Sequence, residues 1–278
     1  MHSYSVLMSV YYKEKAPHLK TAIESIWSQS VPTDDFVLVC DGPLSVELNN
    51  VIEEMEREHA ETFHVIRLGQ NRGLGNALNI GLRECRNELV ARMDSDDISR
   101  PDRCKWQLDV FDNNPAIGIC SGIVGEFTTS EKKIEAWRIP PEKQEDILHF
   151  AKSRNPFNHP CVMYKKSEVE AAGSYQDFYL LEDYYLWIRM LQNGSVGYNI
   201  QKPLLWMRAG SELYLRRAGR KYAISQRELF RYMKDSGFIS HSQYVKSLII
   251  RSISSFTPNW LREFLFKSVM RKKQEQEN

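Results

Sequence analysis

The sequence predicts an α/β protein: a mainly parallel sheet flanked by helices, continued at the C-terminus by a basic helical extension. Three observations carry that prediction. Four apolar runs in the first hundred residues alternate with segments whose apolar residues recur at helical spacing, the order that builds a parallel sheet with right-handed crossovers. A cluster of acids follows the fourth run with no spacer. Charge is divided along the chain: residues 214–278 hold 14 Lys and Arg against 5 Asp and Glu, a net +9, and residues 1–213 hold 23 against 31, a net −8. The expected organisation is one domain over 1–213 and a helical basic extension over 214–278 with an anionic partner.

Val6–Val10 is a near-continuous apolar run, as in a strand covered on both faces. Leu19, Ile23, Ile26 and Trp27 then fall at helical spacing, and Phe36–Cys40 forms a second strand that ends in the turn chemistry of Asp41-Gly42-Pro43. Leu48, Val51, Ile52 and Met55 mark a second helix, and Phe63–Leu68 a third strand. The loop 69–75 opens a helix carrying Ala77, Leu78, Gly81 and Leu82, and Leu89–Met93 is the fourth strand. Trp106 to Phe111 reads as a helix, Ile117–Val124 as a strand, and Glu142–Lys152 as a helix after Pro140-Pro141. A rigid loop, Asn155 to Pro160, leads into Cys161–Tyr164. A helix then begins at Glu182-Asp183 and runs through Trp187, Ile188 and Leu191 to Gly194. Beyond Met207 come helical segments near Ala223–Lys234 and Ser240–Ser255. Thr257-Pro258 opens a last helix that sets Trp260, Leu261, Phe264 and Leu265 against Arg262 and Lys267.

Bulk properties narrow the function. No apolar run approaches the roughly 18–20 residues that cross a bilayer, and Ser5–Val10 lacks the basic flank and cleavage site of a signal peptide. Cys40, Cys85, Cys104, Cys120 and Cys161 are scattered without a CxxC pair, which argues against a zinc site or disulfide framework and fits a reducing cytosol. Gly73-Leu74-Gly75 is not a dinucleotide fingerprint, because the third glycine position is Leu78 and the loop follows the third strand.

The chemistry concentrates in Asp94-Ser95-Asp96-Asp97. Three carboxylates in four residues repel one another, and a hard divalent cation removes that cost by taking oxygen ligands. Mg²⁺ and Mn²⁺ keep positions open for phosphate oxygens, so acids at the carboxyl end of a strand suggest a metal–diphosphate site. The alternative is a solvated acidic turn capping the next helix. In a parallel sheet ligands bind beyond the carboxyl ends of the strands, and Asp41, the 71–75 loop and Asp94–Asp97 all leave strands on that edge. Glu182 and Asp183 suit helix capping as well as catalysis, and His159 suits a structural hydrogen bond as well as a ligand role.

Together these pieces resemble the family 2 glycosyltransferases of the GT-A fold. The resemblance spans about residues 4–210: the SVLMSVYY strand, the SIWSQS helix end, and Cys40-Asp41-Gly42-Pro43 in place of a DDGS turn, with the first acid replaced by cysteine. It continues with Asn71, Gly73, Ala77, Asn79 and Gly81 as an NxGxxxAxNxG loop, Asp94-Ser95-Asp96-Asp97 as a DADD element followed by Pro101 and Arg103, and Glu182-Asp183 with Trp187 as an ED element. FNHPCVMYKKS and LEDYYLW are similar to enzymes of bacterial O-antigen, capsule and exopolysaccharide synthesis, including amylovoran-type transferases.

The resemblance implies roles for the matched positions. Asp96 would bind Mn²⁺ or Mg²⁺, with Asp94 beside it touching ribose or donor sugar. Asp41 would bond the uracil of a UDP-sugar, with Val10, Asn71 and Gly73 lining the donor site. Asp183, with Glu182 adjacent, would be the general base of an inverting displacement. Arg216 or Arg217 would neutralise the leaving diphosphate, and His159 and Trp187 would face the acceptor. The implied reaction moves a hexose, Gal or Glc, from UDP to a polyprenyl-diphosphate-linked sugar. The expected partners are the UDP-hexose, that acceptor, an anionic membrane surface at the cytoplasmic face of the bacterial inner membrane and a second copy of the chain as a homodimer, with no nucleic acid. A sugar-nucleotide nucleotidyltransferase is one alternative; it would want a Gly- and Lys-rich loop where Val10-Tyr11-Tyr12-Lys13 stands. A non-catalytic subunit of a membrane assembly complex is the other.

Overall fold

The computed structural model describes residues 3–209 and 219–256, with side chains to residue 250. One nine-stranded sheet organises the chain. Its first half is β1 (Tyr4–Val10), β2 (Asp35–Cys40), β3 (Phe63–Arg67) and β4 (Leu89–Asp94), crossed over by α1 (Ala16–Trp27), α2 (Val46–Glu58) and α3 (Leu74–Glu84). These four strands are parallel, in the order β3-β2-β1-β4. The chain winds outward from β1 to β3 and returns to the other side of β1 with β4. The carboxyl ends of β1 and β4 therefore diverge into the crevice where such sheets place their ligands.

The second half adds β5 (Ile98–Ser99), α4 (Arg103–Asn113), β6 (Ile117–Phe127), β7 (Ala136–Arg138), α5 (Gln144–Ala151), β8 (Met163–Lys165), α6 (Lys166–Ala171), α7 (Glu182–Gln192) and β9 (Val196–Arg208). From β4 the sheet continues β8-β6-β9-β5, with β7 beside β6. β8 is antiparallel to both β4 and β6, whereas β6 and β9 are parallel. The mainly parallel expectation describes the first half and the long β6–β9 ladder.

Strand β9 is absent from the sequence reading. Its thirteen residues contain Gly197, Asn199 and Lys202-Pro203, and its pairing with β6 shifts register around Gly122–Val124. Two bulged strands lose the alternation by which strands are recognised. The helix expected from Glu142 begins at Gln144, and α6 was not anticipated.

The two sheet faces bury separate cores. Leu19, Ile23 and Ile26 of α1, Leu48, Ile52 and Met55 of α2, and Leu108 of α4 cover one. Ala77, Leu78 and Leu82 of α3, Ile147 of α5, and Leu186, Trp187, Ile188 and Met190 of α7 cover the other. This second core also takes in Leu229, Phe230 and Met233 of the helix Arg220–Asp235, and Ile239 after it. The basic extension thus begins as part of the folded body. The helix His241–Phe256 follows, with Val245, Ile249 and Ile250 exposed. The last helix expected from Thr257 lies outside the described residues. All five cysteines are free and buried, and no described helix is long and apolar enough to cross a membrane.

Candidate active site

The nucleotide-side elements close on one another through backbone. Val10, at the end of β1, has a fully buried side chain, and its carbonyl accepts the Asp41 N–H at 2.8 Å. The Asp41 carboxylate accepts from the N–H groups of Arg72 at 2.6 Å and Gly73 at 3.0 Å, and the Asn71 amide donates to the Asp41 carbonyl at 3.1 Å. The retained acid of the turn therefore holds the 71–73 loop at the N-terminus of α3, with both oxygens engaged and only 3 % of the residue exposed. Gly42, at φ +93°, is required here, because a Cβ would stand 2.7 Å from the Asn71 nitrogen.

The rest of the NxGxxxAxNxG pattern is packing and clamping. A Cβ on Gly81 would lie 2.4 Å from Leu7 Cδ1 and 2.7 Å from Val39 Cγ2, so α3 sits directly on β1 and β2. The Asn79 side chain pairs with the main chain of Tyr175, donating to its carbonyl at 2.6 Å and accepting its N–H at 2.9 Å. On the far side of that segment, the Arg189 guanidinium donates to the carbonyls of Ala172 and Ser174. Residues 172–175 are thus gripped by their backbone between α3 and α7.

The acids leave β4 with divided roles. Asp94 forms an ion pair with Arg92 and keeps a third of its side chain exposed. Burial, then the charges of Asp94 and Glu14, push Asp96 up to about 7. Asp97 is buried, with Oδ1 accepting the Arg208 N–H at 2.9 Å and Oδ2 without a partner. Burial and the adjacent acids raise it well above the usual carboxylate range. Asp97 fastens the end of β9 to the acidic loop, and the Arg208 guanidinium donates to the Asp96 carbonyl at 3.3 Å. Crowded, desolvated carboxylates with an orphaned buried oxygen are the donor set that a hard divalent cation neutralises. Among the described residues no three His, Cys, Asp or Glu side chains gather around one point. A cation beside Asp94 and Asp96 would therefore complete its shell with other oxygens.

The second acid pair opens α7. Burial and the neighbouring Asp183 push Glu182 up to about 7. Asp183 accepts from the Asn155 amide at 2.7 Å and from the Tyr184 N–H at 2.7 Å. A Cβ on Gly75, in the first turn of α3, would stand 3.8 Å from Glu182 Cβ. The start of α7 therefore abuts the loop that Asp41 holds.

Two expected acceptor contacts are corrected. Trp187 is 0 % exposed, packed among Phe157, His159, Tyr164 and Tyr175. A ring with no accessible surface cannot touch a sugar; it supports the site from beneath. His159 is 9 % exposed, with Nε2 3.0 Å from the Tyr175 hydroxyl. Burial and then the nearby Arg92 charge hold it well below the usual histidine range, so it is a neutral core residue. Arg103, matched after the acid cluster, is fully buried and donates to the carbonyls of Arg92 and Val162. Arg216 and Arg217 lie outside the described residues.

Four site residues escaped the sequence reading. Arg92 stands in a run taken as apolar, and a lone charge in a buried strand was the available signal. Asn155 sits in the proline-flanked loop where only His159 drew notice. Glu14 accepts the Ser95 hydroxyl at 3.1 Å, and Arg208 ends the strand that was not recognised.

The glycosyl transferase family 2 profile matches residues 5–170. A UDP-Gal:alpha-D-GlcNAc-diphosphoundecaprenol beta-1,3-galactosyltransferase of Escherichia coli is 37 % identical, covering 97 % of each chain. The amylovoran biosynthesis glycosyltransferase AmsE of Erwinia amylovora is also 37 % identical, over 95 % of this chain and 98 % of its own. Among solved structures, the mannosyltransferase PcManGT of Pyrobaculum calidifontis, in complex with GDP-Man and Mn²⁺, superposes with a TM-score of 0.66 at 15 % identity, covering 94 % of this chain and 72 % of that one. S. aureus TarS 1-349 in complex with UDP-GlcNAc gives 0.66 at 16 %, covering 95 % and 75 %. These two are similar in fold.

Proposed function

Because the chain belongs to glycosyl transferase family 2, we propose that it transfers a hexose, Gal or Glc, from a UDP-sugar to a sugar carried on polyprenyl diphosphate. The product is a β-linkage in a polysaccharide repeat unit. The observation that carries this reading is that Arg92, buried on β4, is paired with Asp94 and also feels the charge of Asp183 at the start of α7, which abuts the loop held by Asp41. Full-length similarity to a galactosyltransferase with a GlcNAc-diphosphoundecaprenol acceptor supports the substrate class.

Asp183, held by Asn155, accepts the proton of the acceptor hydroxyl. The freed oxygen attacks the anomeric carbon from the side opposite the diphosphate, so the configuration inverts. The bond from that carbon to the β-phosphate oxygen breaks, and its electron pair leaves with UDP. Asp96, with Asp94 beside it, would hold Mn²⁺ or Mg²⁺, which supplies charge to stabilise the departing diphosphate. Arg216 or Arg217 would add to that charge. Asp41 and the 71–73 loop receive the nucleotide.

A lipid-linked acceptor confines the reaction to a membrane surface. The net +9 of residues 214–278 and the exposed Val245, Ile249 and Ile250 support peripheral docking at the cytoplasmic face of the inner membrane. The deciding experiment is a panel of UDP-sugars against synthetic sugar–diphosphate–lipid acceptors, with product linkage read by NMR. Asp183→Asn should lower turnover by about 10²–10⁴-fold while UDP-sugar binding persists. Wild-type turnover in that variant, or no transfer from any UDP-hexose, overturns the assignment.

A further inference from the structure

We propose that Arg92 is a positioning residue: from beneath the site it fixes the carboxylate of Asp94 for the donor and balances the acids that open α7. This rests on the donor-site reading above. Side chains two apart on a strand share a face, and along β4 that face carries Val90, Arg92 and Asp94, turned to the core that holds α7. Arg92 is 1 % exposed. Enclosing a guanidinium costs several kcal/mol unless it is paired and hydrogen-bonded, so a buried arginine needs a reason.

The other buried arginines show what a framework role looks like. Arg189 donates to the carbonyls of Ala172, Ser174 and Tyr185, and Arg103 to those of Arg92 and Val162. Both tie main chain to main chain. Arg92 differs: Nη2 binds Asp94 Oδ1 and no guanidinium nitrogen reaches a carbonyl, whereas Arg103, which also leaves Nη1 without a partner, bonds Gln107 and two carbonyls. Its pairing therefore goes to a site carboxylate and leaves the backbone alone.

The surroundings fit the same role. The titratable groups linked to Arg92 by charge include Asp94 on β4, Asp97 after it, His159 before β8, Tyr164 on β8, Tyr175 before α7, and Glu182 and Asp183 on α7. Burial works against its charge, but Asp94, Tyr175 and Asp183 outweigh that. One buried cation thus pairs with Asp94 on β4 and also feels the charge of Asp183 on α7. With Oδ1 engaged from below, Asp94 is held against rotation away from its crowded neighbours. Without Arg92, Asp94 would lose the cation bound to its Oδ1, leaving Arg208, which lies by Asp96, to offset the two acids.

The test is a double-mutant cycle on binding, read by calorimetry with UDP and Mn²⁺ as the probe and with a GDP arm. Methionine at position 92 preserves much of the volume, and Asp94, with a third of its side chain exposed, can return to solvent when its partner is removed and so escapes the full cost of a buried unpaired charge. R92M should weaken UDP–Mn²⁺ binding by roughly 10–50-fold, within the range of coupling for side chains in direct contact. R92K keeps the charge but not the fork and should recover part of that loss. In a D94N background R92M should change binding by less than threefold, because its effect runs through Asp94. If R92M does not fold, R92Q carries the same cycle. Binding by R92M within twofold of wild type overturns the proposal, as does an equal loss in the D94N background. A wild type that binds nucleotide but transfers no hexose overturns the reaction and leaves the cycle decisive for Arg92. A wild type that binds neither nucleotide overturns both.

Discussion

Asn155→Ala removes the amide that holds Asp183 at 2.7 Å and changes nothing that touches Asp41 or Asp94. A hydrogen bond to a charged group contributes about 1.5–3 kcal/mol, and each 1.36 kcal/mol is tenfold in rate. If that energy serves to hold the base within reach of the acceptor hydroxyl, kcat should fall by roughly 10–150-fold. The donor KM should stay within about twofold, because Asp183 meets the proton of the acceptor and not the nucleotide. The variant also loses the acceptor of the Phe157 N–H, at 3.3 Å, worth about 1 kcal/mol. With the Asp183 bond lost as well, a fall in Tm on the order of 5–15 °C is the expected side effect. The assay is UDP release at saturating donor with varied acceptor, alongside a melting curve. A kcat within twofold of wild type would show that Asn155 does not hold the base in its reacting position. A parallel rise in donor KM would show that the loop serves the nucleotide instead.

Asp96→Ala should lose metal-dependent donor binding and turnover together, and EDTA should silence the wild type until Mn²⁺ or Mg²⁺ is restored; full activity in exhaustively chelated buffer refutes the assignment. Glu182 has its folded-state pKa raised to about 7, above its unfolded value. The stability linked to it is thus greatest below about pH 4.5 and is lost as pH rises through 7. Glu182→Gln should therefore raise stability at pH 8, on the order of 2–3 kcal/mol, with the gain vanishing towards pH 4.5; a pH-independent Tm difference refutes this. Gly81→Ala forces a methyl against Leu7 and Val39 and should cost about 1–3 kcal/mol in denaturant unfolding; an unchanged midpoint would mean that α3 is free to lift from the sheet.

The strands of the first half were legible because each is a mainly apolar run closed by turn residues, and because crossover helices leave little freedom in topology. The acid cluster was legible because three carboxylates after such a run have few inexpensive environments. Roles within the motifs were not legible. Asn79 matches a pattern associated with donor binding, yet it holds the main chain of Tyr175, and only the fold brings those two residues together. Trp187 follows the ED pair by four residues, one helical turn, and that spacing alone does not tell a face toward substrate from a face toward core. The structure puts it in the core. Arg92 was hidden by the averaging that defines an apolar run. β9 was hidden because bulges and a proline erase its alternation, and Arg208 was lost with it.

The grip on residues 172–175 has a consequence for how such enzymes diversify. Asn79 and Arg189 hold this segment through its peptide groups, but its side chains are constrained as well: Ala172 and Tyr175 are buried, and Gly173, at φ +81°, has Arg189 Nη1 3.2 Å from where a Cβ would stand. Substitution of Ala172 or Gly173 would therefore disturb the segment even though its hydrogen bonds are made by main chain. A stretch fastened by its backbone is a socket: a segment transplanted from a relative would meet the same peptide hydrogen bonds, provided that it kept a small residue at 172, glycine at 173 and the buried ring at 175.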